Sequence, residues 1–410
     1  MKKISKKLEK KPVEKSIGTQ KKSYSKISYA VLGIALIVSL MTLVPVVFPV
    51  LYSMSTVPNG FEQMGLEIIF IDKFETGVLA FPLIFSNAIV FGLYIFRKKI
   101  PKISKIFSID VPQKVSLVVV VVVIVAYGSI TFSEVYIDEQ YQDWMDVLDR
   151  LDNELSVQQL DPFLRMFLLN QSMTLFGSYK IIPLLFSMAL LAMTYLFTTS
   201  ITKNRFAGLV SMGLVLQSYI FLTFDTSSTY TTFWLFFYLV SLYAVVKLWF
   251  TNPVFYVASI FCKGITAIFS PMSIFFILNS NIPKKQKLIL SGIILIMIIG
   301  GISSIYAGGS MQEEAKWHEF IVGFASFAFQ MRFDVITVLF LVPLVFGLFV
   351  ISKNNRHANS ISFLIVGILF TAPLLSGLTD QTNQPYRQLP IVVFFAVGVG
   401  MLFSKVNSKL

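Results

Sequence analysis

Runs of about 20 apolar residues recur along the sequence from residue 28 almost to its C-terminal end. A helix of about 20 apolar residues can cross the hydrocarbon core of a bilayer. A further apolar run, 253–279, is interrupted at Lys263-Gly264, which predicts two short helices that turn inside the protein. The sequence therefore predicts an all-α polytopic membrane protein of about 12 transmembrane segments. Besides the two short helices, the predicted spans are 28–50, 77–96, 115–133, 181–201, 206–223, 231–250, 288–306, 333–352, 359–377 and 389–404.

The composition excludes a soluble globular protein, since 55% of the residues are hydrophobic and only 14% are charged. The single cysteine, Cys262, excludes a disulfide framework and a cysteine-based zinc site. The two histidines, His318 and His357, are far apart in the sequence and predict no histidine-rich metal centre.

The net charge of +12 is distributed as in a membrane protein rather than as in a nucleic-acid-binding protein. Twelve segments place both termini on one side, together with 26 Lys and Arg but only 3 Asp and Glu. The other side holds the remaining 8 Lys and Arg and 19 Asp and Glu. The positive-inside rule then predicts cytoplasmic termini in the cell membrane. Residues 1–26 are expected to form a basic, disordered cytoplasmic tail, and 27–113 contain two N-terminal transmembrane helices.

One large polar loop, 134–179, lies on the predicted outer side and carries nine of the 22 acids. Trp144, Leu148, Leu151 and Leu155 recur at helical spacing, so 140–157 is predicted to be an amphipathic helix at the membrane surface. Its acids are expected to form a solvated face. A second apolar stretch, from Phe163, is expected to end at Gly177.

Asp138 and Glu139 differ from the other acids of this loop because they follow the third span by only a few residues. A carboxylate at the membrane–water boundary is expected to be partly desolvated, which raises its basicity and suits it to proton abstraction. The alternative is that Asp138 simply caps the helix that follows it.

Several motifs in 130–404 resemble those of the GT-C membrane glycosyltransferases, a group that includes protein O-mannosyltransferases and lipid A aminoarabinose transferases. Each motif is short, and the resemblance rests on their order and common outward placement. In this sequence, two predicted spans precede the span that corresponds to the first transmembrane span of the family. The motifs are Asp138-Glu139-Gln140-Tyr141 after a span, the stretch from Asp161-Pro162 to Phe176-Gly177, Thr223-Phe224-Asp225, Lys263-Gly264, and Gln384-Pro385-Tyr386-Arg387 before the last span.

The resemblance implies a GT-C-like bundle in which residues 114–410 form the catalytic region. It implies an inverting glycosyltransferase in which Asp138 is the general base and Glu139 helps to position the acceptor. The implied partners are a polyprenyl- or dolichyl-phosphate-linked sugar, a protein or glycolipid acceptor and membrane lipid, with no nucleic acid.

The resemblance also implies substrate- or phosphate-binding roles for Asp225, Lys263, Arg387 and Tyr386. Arg332 is a further candidate, because it is an outer-side arginine near a span end and a guanidinium can bind phosphate in a bidentate manner. Four of these five residues have an alternative. Asp225 could be hydrogen-bonded to its Ser and Thr neighbours, Lys263 could extend to the interface, and Tyr386 could be an interfacial aromatic residue. Arg332 could pair with Asp334 or Glu319.

The sequence predicts no specific metal site, and it leaves open whether Asp138 or Asp225 holds a divalent cation together with the donor phosphate.

A secondary transporter or lipid flippase and a non-catalytic membrane subunit are the alternatives to the transferase. A transporter should carry charges near the membrane midplane, whereas most spans here have none. A transferase predicts that Asp138, Asp225, Lys263 and Arg387 line one cavity.

Overall fold

The fold is all-helical, and the described residues contain no β-strand. The computed structural model describes residues 23–49, 74, 76–96, 109–140, 143–152, 163–307, 317, 320–325, 334–378 and 385–404. The predicted basic tail lies almost wholly outside these residues.

The N-terminal half contains seven described helices. They are α1 (Lys26–Val47), α2 (Ala80–Phe96), α3 (Gln113–Thr131) with a 3-10 extension (Phe132–Tyr136), α4 (Asp143–Asp152), α5 (Phe163–Phe176), α6 (Ile181–Thr202) and α7 (Arg205–Leu216).

Eight further helices follow, joined in part by 3-10 turns. They are α8 (Tyr219–Phe224), α9 (Phe233–Lys247), a 3-10 turn (Trp249–Thr251), α10 (Asn252–Cys262), a 3-10 turn (Gly264–Phe269), α11 (Ser270–Asn279), α12 (Lys284–Ala307), α13 (Val335–Ser352), α14 (His357–Leu378), a 3-10 turn (Pro385–Gln388) and α15 (Leu389–Met401).

Five described helices are long and apolar enough to cross a membrane. Several other apolar helices have only 10–17 residues. The prediction of an all-helical membrane protein is therefore confirmed, while the count of 12 segments stays a prediction. The five helices are Lys26–Val47, Gln113–Tyr136, Ile181–Thr202, Val335–Ser352 and His357–Gly377.

The predicted span 206–223 is two helices, α7 and α8, with a break at Gln217-Ser218. Ser218 caps α8, since its hydroxyl accepts a hydrogen bond from the Phe221 amide over 3.1 Å. Asp334, from the start of α13, accepts a second hydrogen bond from the Ile220 amide over 3.2 Å. The first amides of a helix lack partners within it, and these two side chains supply them.

The centre of the bundle is built from α6, α7, α9 and α15. Nearly every side chain of α15 is buried, which explains why this helix is apolar on all sides. The contact between α7 and its neighbours is close, because a Cβ on Gly208 would overlap the backbone of Tyr195. Small residues at such contacts let helix backbones approach each other.

The two N-terminal helices pack against the C-terminal part of the chain. Asn359 of α14 donates to the Ser28 hydroxyl of α1 over 3.0 Å. Asn87 of α2 donates to the Leu339 carbonyl of α13, also over 3.0 Å. The segment 27–113 is thus in contact with the helices of the predicted catalytic region.

The polar loop follows its sequence pattern where it is described. Val147 of α4 is buried, Trp144 packs against Tyr179 at 5.7 Å between ring centroids, and the acids Asp146 and Asp149 are exposed. Helix α5 ends at Gly177, whose φ of +70° lies in the left-handed region that glycine adopts readily. A helix within the predicted range 140–157 and the end of the second stretch at Gly177 are confirmed, while residues 153–162 lie outside the described part.

The bundle has two chemically different ends. The loop that contains Glu134, Asp138 and Glu139 meets the start of α6 at Lys180, and we call this the site end. The end of α6 meets the α13–α14 turn, where Asn355 donates to the Ile201 carbonyl over 3.0 Å. We call the latter the basic end; it contains Lys203, Lys247, Lys284, Lys287, Lys353 and Arg356.

Candidate functional site

A cavity of about 450 Å³ opens at the site end, between the loop after α3 and the loop after α8. Its size lies in the range of small-molecule sites. Carboxylates, hydroxyls and one ammonium group border it, and apolar atoms contribute about as much of its surface. The lining residues are Glu134, Ile137, Asp138, Glu139, Gln140, Lys180, Thr223, Thr226 and Ser227.

Glu139 is held by the loop 225–232, which connects α8 to α9. Its carboxylate accepts hydrogen bonds from the amide of Thr229 over 3.1 Å and from the hydroxyl of Ser227 over 3.1 Å. The Ser228 amide and the Thr229 hydroxyl donate as well. Such a carboxylate fastens one loop to another, which fits a positioning role better than proton abstraction.

Asp138 lines the cavity and is exposed, which differs from the expected partial desolvation. The loop 225–232 surrounds the carboxylate of Glu139, whereas the Asp138 side chain lies in the open cavity. Asp138 is not a helix cap either, because the next helix, α4, begins five residues later at Asp143. Its carboxylate is accessible to a substrate in the cavity.

Asp225 is almost fully buried, with 1% of its surface exposed. One carboxylate oxygen accepts from the Tyr127 hydroxyl of α3 over 2.6 Å, and the other is buried without a hydrogen-bond partner among the described residues. Burial raises the pKa of Asp225 to about 7, and the Tyr127 hydrogen bond opposes that rise. The side chain therefore pairs with a distant tyrosine, a partner that its Ser and Thr neighbours in the sequence do not predict.

Lys263 lies at the break between α10 and the next 3-10 turn, with its ammonium 3.8 Å from the ring centroid of Tyr386. Arg387 donates through Nε to the Tyr386 hydroxyl over 3.2 Å. Burial lowers the pKa of Lys263 to about 8, and the positive charges of Arg165 and Arg387 contribute to the decrease. Lys263, from one predicted motif, thus forms one group with Tyr386 and Arg387, from another.

Arg165 of α5 belongs to the same group and was not predicted. Its guanidinium donates to the carbonyls of Thr229 over 2.6 Å and of Ser228 over 3.3 Å. The sequence does contain a feature that indicates this residue, since Arg165 is the one charged residue in the apolar stretch from Phe163 to Phe176. We call Arg165, Lys263 and Arg387 the cation group.

Tyr386 is held from its other side by Tyr230, with ring centroids 4.3 Å apart and an interplanar angle of 18°. Tyr230 in turn donates to the carboxylate of Asp143 in α4 over 2.7 Å. Tyr386 is therefore a buried part of the cation group and not an aromatic residue of the membrane interface.

Arg332 and Glu319 lie outside the described residues. Asp334, a predicted alternative partner of Arg332, accepts a hydrogen bond from the Ile220 amide, and its predicted pairing with Arg332 stays a prediction. Among the described residues no group of three or more His, Cys, Asp or Glu could hold a metal ion.

The predicted residues do not share one cavity. Asp138 lines the cavity, Asp225 is buried behind it, and Lys263 and Arg387 lie in the cation group. The loop 225–232 joins the two regions at Thr229, whose amide faces Glu139 and whose carbonyl faces Arg165.

Comparisons with protein-family models, characterised proteins and solved structures found no match for this chain. The resemblance to the GT-C glycosyltransferases therefore stays a prediction.

Proposed function

We propose that this chain is a membrane glycosyltransferase that moves a sugar from a polyprenyl-phosphate donor to an acceptor at the site end of the bundle. One observation carries the proposal. An acid-lined cavity and a group of three cations lie on the two sides of one residue, Thr229. Sugar transfer from a lipid phosphate needs both a base for the acceptor and positive charge for the leaving phosphate.

Asp138 is the proposed base, because it is the exposed carboxylate of the predicted pair and lines the cavity. It takes the proton of the acceptor hydroxyl while that oxygen forms a bond to the anomeric carbon of the sugar. The bond from this carbon to the phosphate oxygen breaks on the opposite face, so the configuration inverts. Glu139 positions the loop that separates the acceptor from the donor phosphate.

The cation group is the proposed binding site of the donor phosphate. Arg387 can present two parallel N–H groups, those of Nη1 and Nη2, to phosphate oxygens, and Lys263 and Arg165 add positive charge. The pair of electrons that leaves with the phosphate oxygen is then stabilised where it develops.

The proposed membrane arrangement retains about 12 segments, with the site end outside and the basic end in the cytoplasm. It is supported by the described charges, because most of the described acids lie at the site end and most of the described Lys and Arg at the other. The shorter helices would cross the membrane in combination, as α7 does with α8.

The test is sugar transfer by membranes that contain wild-type protein, using a panel of polyprenyl-phosphate sugars. Asp138→Asn should lower transfer by about 100-fold or more, the usual loss when a general base is removed. Asp146→Asn is the matched control, since Asp146 is an exposed acid of α4 that does not line the cavity. Full activity in Asp138→Asn, or no transfer from any donor by folded wild type, would contradict the proposal.

A proton-coupled transporter is the second candidate, and Asp225 is the observation that favours it. A buried carboxylate whose pKa lies near neutrality is a common proton carrier in membrane proteins. This function predicts that Asp225→Asn abolishes substrate flux driven by a pH gradient in proteoliposomes, with Asp138→Asn unaffected.

A further inference from the structure

Several helix ends meet at the basic end, far from the candidate site. The Lys287 ammonium donates to the Leu278 carbonyl at the end of α11 over 2.6 Å. His357, the first residue of α14, packs on Phe276 of α11 at 5.2 Å between ring centroids. The α13–α14 turn contacts the end of α6 through Asn355. These contacts bring Lys203, Lys284, Lys287 and Arg356 around one region.

Among the described residues, the cations of this region outnumber the carboxylate of Asp110, whose neighbour Ile109 accepts a hydrogen bond from Asn204 at the same end. Lys203, Lys284, Lys287 and Arg356 form no ion pair within the part of the chain that the structure describes. Burial lowers the pKa of Lys203, and the charge of Lys247 lowers it further. Burial also lowers the pKa of Lys287, and the positive charges of Arg356 and Lys284 lower it further. Like charges held this close repel each other, so a bound anion would stabilise the arrangement.

Two buried polar atoms border the same region without a hydrogen-bond partner among the described residues. They are Nδ2 of Asn279, which follows Leu278, and Nδ1 of His357, a residue with 9% of its surface exposed. Buried polar groups are nearly always paired, so two such atoms beside unpaired cations indicate a missing partner. The N-terminus of α14 adds the positive end of a helix dipole.

Exposed apolar side chains continue from the cations along α12. Leu288 is 70% exposed and Ile289 52%, directly after Lys287, and Ile296 is 71% exposed two turns further on. An inorganic anion would leave this apolar face uncovered, whereas the acyl chains of a lipid would cover it. The charge and the apolar surface together have the chemistry of an acidic phospholipid.

We propose that the basic end binds an acidic phospholipid, with the headgroup phosphate between Lys287 and Arg356 and the acyl chains along α12. Lys284 and Lys203 surround the headgroup. The lipid neutralises the unpaired cations and fastens α12 to the α13–α14 turn. This site is independent of the proposed transferase function.

The test uses the full chain purified in detergent and delipidated, with lipid adducts counted by native mass spectrometry. Dioleoyl phosphatidylglycerol is the acidic probe, dioleoyl phosphatidylcholine the zwitterionic one, and glycerol phosphate a soluble headgroup. Wild type should retain the acidic lipid preferentially. Each charge removed should weaken retention about fivefold, so Lys287→Gln combined with Arg356→Gln should weaken it about 25-fold.

Two further variants make the result specific. Lys287→Arg keeps the charge and should keep the lipid, which separates a lost site from a misfolded chain. Lys114→Gln removes an exposed cation of the same end outside the group and should change nothing. Equal retention of the zwitterionic lipid, equal loss in Lys114→Gln, or equally tight binding of glycerol phosphate would overturn the proposal.

Discussion

Lone charges inside apolar sequence are the residues of the candidate site that the sequence reveals most directly. Lys263 interrupts the run 253–279 and lies against Tyr386 in the cation group. Arg165 interrupts an apolar stretch in the same way and lies in the same group. A charge in apolar surroundings is costly unless it is paired or solvated, so such a position indicates a partner. The identity of that partner does not follow from the local sequence.

The partner of Asp225 illustrates this limit. Tyr127 lies 98 residues earlier in a valine-rich span and has nothing in its neighbourhood that distinguishes it from other interfacial tyrosines. The hydroxyl-rich sequence after Asp225 suggested local hydrogen bonds instead. The packing of α3 against α6 brings the tyrosine to the carboxylate, and only the fold supplies that contact.

Asp225 predicts a specific pH dependence of stability. Its pKa in the folded chain, about 7, exceeds the unfolded value near 3.8, so the folded state binds the proton more tightly. The resulting stability is fully present below pH 4 and is lost as the pH rises through 7. Wild type should therefore melt at a lower temperature at pH 8 than at pH 5. The free energy of unfolding should be lower at pH 8 by on the order of 2–4 kcal/mol because of this group.

Asp225→Asn removes the titration and should abolish most of that difference in detergent-solubilised protein. Asp146→Asn, at an exposed acid of α4, is the control and should leave the pH dependence unchanged. An identical pH profile for Asp225→Asn and wild type would show that the carboxylate does not titrate in this range.

At the scale of single elements, helix type follows from composition, while helix breaks depend on capping. The break at Lys263-Gly264 was predicted, because a lysine and a glycine interrupt an apolar run. The break at Gln217-Ser218 was not, because Ser218 is a common residue within membrane helices. A helix starts at Ser218 because its hydroxyl accepts a hydrogen bond from the Phe221 amide. The carboxylate of Asp334 accepts a second one from the Ile220 amide, which is 114 residues away in the sequence.

Two glycines of α7 give a matched test of helix packing. A Cβ on Gly208 would overlap the side chain and backbone of Tyr195 in α6, whereas a Cβ on Gly213 would meet nothing within 4 Å. Gly208→Ala should destabilise the protein by about 1–3 kcal/mol through overpacking. Gly213→Ala should be neutral or stabilise by up to about 1 kcal/mol through helix propensity.

Thermal unfolding in detergent measures both effects on the same helix. A Gly208→Ala variant as stable as Gly213→Ala would mean that α6 and α7 do not pack as closely as described.

At the scale of the whole molecule, the charge distribution and the helix packing agree with each other. Among the described residues, most acids lie at the site end, and Lys and Arg outnumber acids at the basic end. The positive-inside rule then predicts which end faces the cytoplasm. The charge asymmetry that predicts the topology also places the cations of the proposed lipid site at the basic end and the carboxylates of the candidate site at the site end.

Cysteine labelling tests this orientation. The single cysteine, Cys262, is buried, so the wild-type chain should not react with a membrane-impermeant maleimide. Asp146→Cys, at the site end, should react in intact cells. Asn354→Cys, in the exposed α13–α14 turn, should react only after the membrane is permeabilised. Labelling of both variants from the same side would contradict the arrangement.

The sequence by itself determined the properties that depend on local composition: the helical class, the apolar spans, the amphipathic α4 and the separation of acids from cations. These follow from transfer of apolar side chains out of water and from backbone hydrogen bonding within single helices. The tertiary structure decided which polar groups meet. Glu139 meets a loop about 90 residues away, Asp225 meets Tyr127, and Lys263 meets Tyr386. Contacts of this kind depend on the directions in which packed helices end, and no local pattern of residues encodes those directions.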